Sequence, residues 1–378
     1  MKICTIICEY NPFHNGHLYQ LMQAKRLSGA DAILCIMSGN FVQRGEASIM
    51  DKYTRAKHAV LAGADAVIEL PIVFATSNAE LFAKGAVKLL SSIPEVTTLC
   101  FGAETDDIQA FLSSAKIAND EPKEISKKIK ELLQSGMSYA KARAQAYQGV
   151  INENLLTSPN NILGLEYTKA LVNSTIEILP IKRVGNGYND EDLSTNFSSA
   201  TAIRKNLADS EKIKENMPDF VCKDLPKTTE NSLLLLEKYA VLSKNDRELK
   251  RVCDCTEGLE NAFKKVAENG GDFAEELTSQ RYTSSRIKRI ALQALLGIEE
   301  SLIQSALTSP LYLKILAVNK DRKDLLSAIS KSEFPLLSRA HDDDKLSPIA
   351  KAVYEKDLFA EKIYALLYPT AKKQNPFD

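Results

Sequence analysis

Two histidines three residues apart, His14 and His17, stand in the string Glu9-Tyr10-Asn11-Pro12-Phe13-His14-Asn15-Gly16-His17-Leu18, directly after the apolar run Ile3–Cys8. An apolar run, a Pro/Gly turn and then a helical pattern (Leu18, Leu21, Met22, Lys25) describe a strand, a loop and a helix start. Such a loop delivers both imidazoles to a helix N-terminus. Unpaired backbone N–H groups and the positive end of the helix dipole favour an anion there, most often phosphate. Imidazoles aimed at a phosphate stabilise charge that builds up during attack at phosphorus. Gly16, lacking a Cβ, lets a flat ligand approach the backbone. A His-x-x-His pair also occurs in metal sites, but no further His or clustered Cys lies nearby to complete one. A purely structural loop pair is the other alternative.

A second string, Phe197-Ser198-Ser199-Ala200-Thr201-Ala202-Ile203-Arg204, opens a further helix. Hydroxyls at a helix start cap free N–H groups and can also meet phosphate oxygens. Arg204, one turn in, offers a forked guanidinium to a polyphosphate. An ordinary N-cap is the plainer alternative. Gly102, in Cys100-Phe101-Gly102-Ala103-Glu104, closes a strand candidate, where ligands of a parallel sheet sit. A simple turn glycine fits that position equally well. In Pro159-Asn160-Asn161-Ile162-Leu163-Gly164, an Asn can cap a helix or read adenine or ribose. Arg183, at the end of a late strand candidate, is suited to phosphate or to a surface charge. The loop Met37–Glu46 offers Gln43 and Arg44 to a small carboxylate, or leaves them to solvent.

These residues need a scaffold, and the first hundred residues supply one by clean alternation. Strand candidates are Ile3–Cys8, Ala32–Met37, Ala66–Leu70 and Val96–Phe101, separated by helical patterns at His17–Leu27, Lys52–Leu61 and Ala79–Leu90. That order implies βαβ crossovers and a parallel, Rossmann-like sheet with helices on both faces. Gly29-Ala30-Asp31-Ala32-Ile33 recurs as Gly63-Ala64-Asp65-Ala66-Val67, marking equivalent helix-to-strand joints whose aspartates serve turns. Residues from about 106 to 150 read as a helical insertion or cap, followed by a helix at Ile162–Val172 and a strand at Ile176–Val184. A Gly/Asn/Asp-rich loop spans Gly185–Asp192, and the polar tail Thr370–Asp378 is expected to fray. The chain thus divides into an α/β nucleotide-binding domain, 1–205, and a mainly helical domain, 206–378.

Composition narrows the class without choosing it. The 378 residues are 44% hydrophobic and 26% charged, those of a globular protein of two or three domains. No apolar stretch approaches the length of a membrane span, so no membrane association is expected. Seven cysteines in no regular spacing imply reduced thiols and a cytoplasmic location. Cys253-Asp254-Cys255, with only Cys222 as a further thiol nearby, makes a poor metal site, and no metal ligands are assigned. A net charge of −1 requires any nucleic-acid contact to come from a local patch. One such string is Arg281-Tyr282-Thr283-Ser284-Ser285-Arg286-Ile287-Lys288-Arg289, with four basic residues, one aromatic and no acid. It can meet phosphates and stack Tyr282 on a base, or form the exposed face of an amphipathic helix carrying Ile287 and Ile290.

The His-x-Gly-His string after a first strand resembles the signature of the nucleotidylyltransferase superfamily, whose members activate a group by attack on the α-phosphate of ATP. The second string resembles that superfamily's Ser-x-Thr-x-Ile-Arg-like motif, with Ala200 where a hydroxyl is common. The fuller string Glu9–Leu18 closely resembles the tRNA(Met) cytidine acetate ligase family, as do Met37–Glu46, the Asn160-Asn161 motif, and Glu257-Gly258-Leu259-Glu260 with Arg281-Tyr282-Thr283. The resemblance implies formation of N4-acetylcytidine at the wobble position of elongator tRNA(Met), through acetyl-adenylate. It implies an ATP pocket built from Ile7, Cys8, Glu9, Tyr10, Asn11, Pro12, Phe13, His14, Asn15, Gly16, His17, Leu18, Tyr19, Gln20, Gly102, Asn161 (with Asn160 as its rival), Arg183 and Val184. His14 and His17 would be catalytic, while Ser199, Thr201 and Arg204 would hold pyrophosphate. Acetate would meet Gln43 and Arg44; the tRNA would meet Arg281, Tyr282, Arg286, Lys288 and Arg289. Mg²⁺ would accompany the nucleotide, and no protein partner is implied. An adenylyltransferase making a coenzyme or dinucleotide precursor, and a non-catalytic ATP- or RNA-binding protein, remain the alternatives.

Overall fold

The computed structural model describes residues 1–184, 197–207, 209–226, 232–338 and 342–368. The expected loop Gly185–Asp192 and tail Thr370–Asp378 lie outside them. Nine strands are described: β1 (Ile3–Cys8), β2 (Ala32–Ser38), β3 (Phe41–Val42), β4 (Glu46–Ala47), β5 (Ala66–Leu70), β6 (Val96–Ala103), β7 (Glu177–Lys182), β8 (Leu313–Val318) and β9 (Leu336–Leu337). Seven form one sheet in the order β7-β6-β1-β2-β5-β8-β9, and β3 with β4 forms a small hairpin. From β7 through β5 every pairing is parallel. The α/β class and each strand candidate are therefore as the sequence reading has them.

Side-chain alternation along the strands feeds two separate cores. Ile7, Leu34, Ile36, Ile68 and Leu99 enter one, beneath the helices Ala79–Ser91, Ile108–Asn119 and Pro159–Ala170. Cys4, Ile6, Ile33, Cys35, Val67 and Cys100 enter the other, beneath Asn15–Ser28 and Lys52–Leu61. A sheet buried on both faces explains why its strands read as continuous apolar runs. The insertion is three helices, Ile108–Asn119, Lys123–Gln134 and Tyr139–Ala146, which join the first core through Phe111, Ala115, Ile125 and Ile129.

Beyond residue 206 the chain is mostly helical, and helices between Leu233 and Leu296 share a third core around Phe263, Phe273, Ile287 and Ile290. The chain then returns to the sheet. β8 pairs antiparallel with β5, and β9 extends it. The sequence reading takes 206–378 as mainly helical and names no strand there, because a six-residue apolar run, Leu313–Val318, is indistinguishable by periodicity from a buried helical segment. A buried charge network seals this return. Lys52 Nζ lies 2.6 Å from Glu69 Oε1, and Lys314 Nζ lies 3.1 Å from Glu69 Oε2 and 2.8 Å from Glu361 Oε1 on the helix Pro348–Leu367. No described helix is by itself long and apolar enough to cross a membrane.

Candidate active site

The helix Asn15–Ser28 begins where β1 ends, and His14 is its N-cap. His14 Nδ1 accepts the Gly16 N–H at 3.0 Å, and His17 Nδ1 accepts the His14 N–H at 3.3 Å. Each ring is thereby fixed in one tautomer, with its proton on Nε2. The two rings stack at 3.7 Å, and His17 also packs against Tyr10 and Phe13. Burial, followed by the nearby Arg183 and Arg204 guanidinium charges, holds the His14 pKa down at about 3. Burial and then His14 and Arg183 hold His17 well below the usual imidazole range. Both histidines are therefore neutral donors, and the positive charge of the site resides on arginine. Gly16 has a purpose beyond the expected ligand approach: a Cβ there would lie 2.8 Å from His14 Cε1. Its absence makes room for the capping ring.

Side chains separated by most of the chain converge on a cavity of about 180 Å³ at the carboxyl ends of the strands. It is lined by Ile7, Cys8, Glu9, Tyr10, Asn11, His14, His17 and Gln20 from the first loop and helix. Gly102, Asn160, Arg183, Ser199, Thr201 and Arg204 close it. An adjoining recess adds Gly16, Tyr19 and Val184. Pro12, Phe13, Asn15 and Leu18 line neither; buried Phe13 instead packs beneath Tyr10 and His17. Gly102 has no positive φ, and a Cβ there would meet only Arg183 Cγ, at 3.8 Å. The protein does not need a glycine at this position; the open cavity does. Of the two asparagines, Asn161 is buried, accepting the Glu104 N–H at 2.9 Å and donating to the Asn154 carbonyl at 2.9 Å. Asn160 is the one that lines the cavity, so the rival holds the stronger claim.

The second motif is tied directly to the first. Ser199 caps the helix Ala200–Lys205 through the Ala202 N–H at 3.1 Å, and Arg204 reaches both the Asn11 carbonyl and Thr201 Oγ1. Buried Asn216 bridges the two, since its carbonyl accepts the Asn15 N–H and its Oδ1 accepts the Ser198 N–H, each at 2.9 Å. Fully buried Arg55 donates to the carbonyls of Glu9, Ser38 and Gly39, holding the ends of β1 and β2 together. Sequence reasoning missed both residues, because neither stands in a motif. It also missed the apolar wall of Val42, Phe82, Phe101, Leu163 and Tyr167, whose residues read only as core.

Gln43 and Arg44 lie between β3 and β4 and line the same cavity. The Gln43 N–H donates to Glu9 Oε1 at 2.7 Å, docking the hairpin on the first loop. Gly45, at φ +75°, packs so closely that a Cβ would lie 2.5 Å from the Arg289 backbone nitrogen, on the helix Ser284–Leu296. The basic string is thus divided. Lys288 pairs with Glu46 at 2.7 Å, and Arg289 donates to the Gln43 carbonyl at 3.5 Å. Arg281 pairs with Glu257, Tyr282 donates to the same carboxylate, and Arg286 holds the Asp254 carbonyl. Beside the first cavity opens a larger cleft of about 910 Å³, which shares Arg44, Thr201 and Arg204 with it. Among the described residues no group of three or more His, Cys, Asp or Glu side chains is placed to hold a metal ion.

The chain matches the family model described as HIGH Nucleotidyl Transferase over residues 1–377. It is 41% identical to the tRNA(Met) cytidine acetate ligase of Thermoanaerobacter sp. (strain X514), covering 97% of this chain and 96% of that one. It is 38% identical to the protein of the same name from Acetivibrio thermocellus, covering 97% and 95%. Its fold superposes on the crystal structure of apo Thermotoga maritima TmcAL with a TM-score of 0.91 at 31% identity, covering 100% of this chain and 99% of that one. Against the same protein bound with alpha-thio ATP the TM-score is 0.89 at 32% identity, with 99% and 97% covered.

Proposed function

The chain belongs to the tRNA(Met) cytidine acetate ligase family, and on that premise we propose that it joins acetate to ATP as acetyl-adenylate and passes the acetyl group to N4 of the wobble cytidine of elongator tRNA(Met). One observation carries the reading. Two neutral imidazoles, each with Nδ1 occupied by a backbone N–H, present their Nε2–H donors at a helix start beside Arg183 and Arg204. That is a set of donors for a phosphate whose charge grows during displacement, and neutral imidazoles leave an incoming carboxylate in its reactive form.

In the first step an acetate oxygen attacks the α-phosphorus and pyrophosphate leaves. His14 and His17 donate to the α-phosphate oxygens, and Arg183 balances their charge. Ser199, Thr201 and Arg204 hold the departing pyrophosphate, while Gln43 and Arg44 orient acetate from the hairpin. The apolar wall around Phe101 and Tyr167 suits a ligand excluded from water. In the second step the cytosine amine attacks the acetyl carbon and AMP leaves. Arg281, Tyr282, Arg286, Lys288 and Arg289 contribute to tRNA binding. Mg²⁺ would serve as counter-charge on the nucleotide's own phosphates. The seven unpaired thiols and a tRNA substrate fit a cytoplasmic location.

The test is ATP–pyrophosphate exchange by the purified protein, with and without acetate and with unmodified tRNA in a parallel arm. Exchange that requires acetate and disappears in a His17→Ala variant is the expected result. Acetate-independent exchange, or none in either arm, would overturn it.

A further inference from the structure

The larger cleft contains a carboxyl group with no part in the steps above. Glu237 lies on the helix Leu233–Ser243, where the other buried residues are Leu233, Ala240 and Val241. It is 7% exposed, lines the cleft, and its Oε1 has no hydrogen-bond partner among the described residues. A buried carboxyl oxygen with no partner weakens the fold, and because Oε1 is closed off from solvent, a ligand in the cleft meets Oε2 of the same group. The cleft is lined by apolar Leu234, Phe273 and Ala291 together with charged Asp272 and Lys288. The cleft borders the nucleotide cavity along Arg44, Thr201 and Arg204. A planar base entering from the open side would thus have its edge on a carboxylate and the activated acetyl group beyond.

We propose that this cleft is the cytosine pocket of the transfer step, and that Glu237 takes the proton of the exocyclic N4 amine as that nitrogen attacks the acetyl carbon. The proposal rests on the ligase reading and adds to it a second pocket and a base. The N4–C bond forms, the bond from the acetyl carbon to the phosphate oxygen breaks, and its electron pair leaves with AMP. The N4 proton passes to the Glu237 carboxylate and then to water through the open cleft. A carboxylate accepting from N4 is the pairing cytosine offers. Uracil would set its O4 lone pairs against the same oxygens, so the group also selects the base. Burial, reinforced by Asp272, raises the Glu237 pKa well above the usual carboxylate range, with Lys288 opposing. A raised pKa makes the ionised group a stronger base and leaves less of it ionised at low pH, so transfer should rise with pH. Asp272 and Lys288 are otherwise engaged, the first capping the Ala274 and Glu275 N–H groups and the second pairing with Glu46.

The experiment uses the full chain with an unmodified tRNA(Met) transcript, following acetate-dependent pyrophosphate exchange and acetyl transfer in the same samples. Glu237→Gln is isosteric, and a general base contributes typically about 10²–10⁴-fold. The expected result is a loss of transfer in that range with acetate-dependent exchange retained. The rise of the transfer rate with pH should flatten, and Glu237→Asp should restore part of the rate. Wild-type transfer with an unshifted pH profile would overturn the proposal. So would joint loss of exchange and transfer at an unchanged melting temperature, which would assign Glu237 to the first step. Absence of acetate-dependent exchange in the wild-type protein would instead remove the ligase reading, and this proposal with it.

Discussion

Arg204 donates from Nη1 to the main-chain carbonyl of Asn11, 2.7 Å away across a sequence separation of 193 residues. The contact joins the only two strings that look like phosphate-binding motifs, and it does so with the same guanidinium that charges the cavity. A lysine can supply the charge but cannot span the Asn11 carbonyl and Thr201 Oγ1 together.

Arg204→Lys is therefore expected to behave nearly as badly as Arg204→Ala. Each should lower kcat/KM for ATP in the exchange assay by about 10²–10³-fold, the range for losing one donor on a developing anion. Retention of activity in the lysine variant would reduce the residue's role to charge alone.

The neutral histidines leave a signature in stability against pH. Each has a folded pKa below its unfolded value, so the unfolded chain gains the proton first as pH falls. Stability present above about pH 6.5 is lost as pH falls toward the folded values, about 3 for His14. Each such group contributes a slope of roughly 1 kcal/mol per pH unit within that window. His14→Asn can still cap the Gly16 N–H, and its urea midpoint should depend less steeply on pH between 6.5 and about 4.

Gly102 and Gly45 make a contrasting pair. At Gly102 an alanine meets nothing closer than 3.8 Å, so its melting temperature should stay within about 2 °C of wild type, the scale of a sub-kcal/mol change. The methyl group intrudes on the cavity, and the ATP KM should rise by about tenfold. At Gly45 an alanine combines a φ of +75° with backbone atoms at 2.5 Å, and should cost about 2 kcal/mol or more in urea unfolding. Equal stability of the two variants would contradict the packing described.

Lys52→Met should destabilise the chain by about 3–5 kcal/mol, because it leaves Glu69 buried against Lys314 alone. Adding Glu69→Leu to the same chain should recover part of that loss, since the uncompensated charge is then removed. Urea unfolding of the single and double variants measures both effects.

Much of this molecule was legible before any coordinates. Ile3–Cys8 and Ala66–Leu70 are recognisable because parallel strands buried on both faces are continuous apolar runs with glycines and aspartates at their ends. The aspartates of the repeated string, expected to serve turns, instead tie distant segments: Asp31 accepts the Lys2 N–H, and buried Asp65 accepts the Ile33 N–H and pairs with Arg322. His14, His17 and Arg204 announced themselves by type and spacing. Asn216 and Arg55 did not, because their work is to satisfy main-chain groups of residues distant in sequence, and no local pattern encodes that. Asn160 and Asn161 show the limit most plainly. Adjacent and identical, they differ only in which one faces Glu104 from the cavity and which from the core. Glu237 left a fainter trace, a single acid among the apolar positions of Leu233–Ser243, visible only once the inward side of that helix is known.

The antiparallel pairing of β8 with β5 also constrains how the protein is made. Until Leu313–Val318 leaves the ribosome, the apolar segment Ala66–Leu70 is an uncapped sheet edge with its backbone groups open to other chains. The cavity lined by His14 and His17 sits on strands β1 to β7, yet the sheet beneath it is complete only once Leu313–Val318 and Leu336–Leu337 have followed. A nascent chain stalled between those points exposes a strand-pairing template, and chaperone occupancy should be highest over that interval.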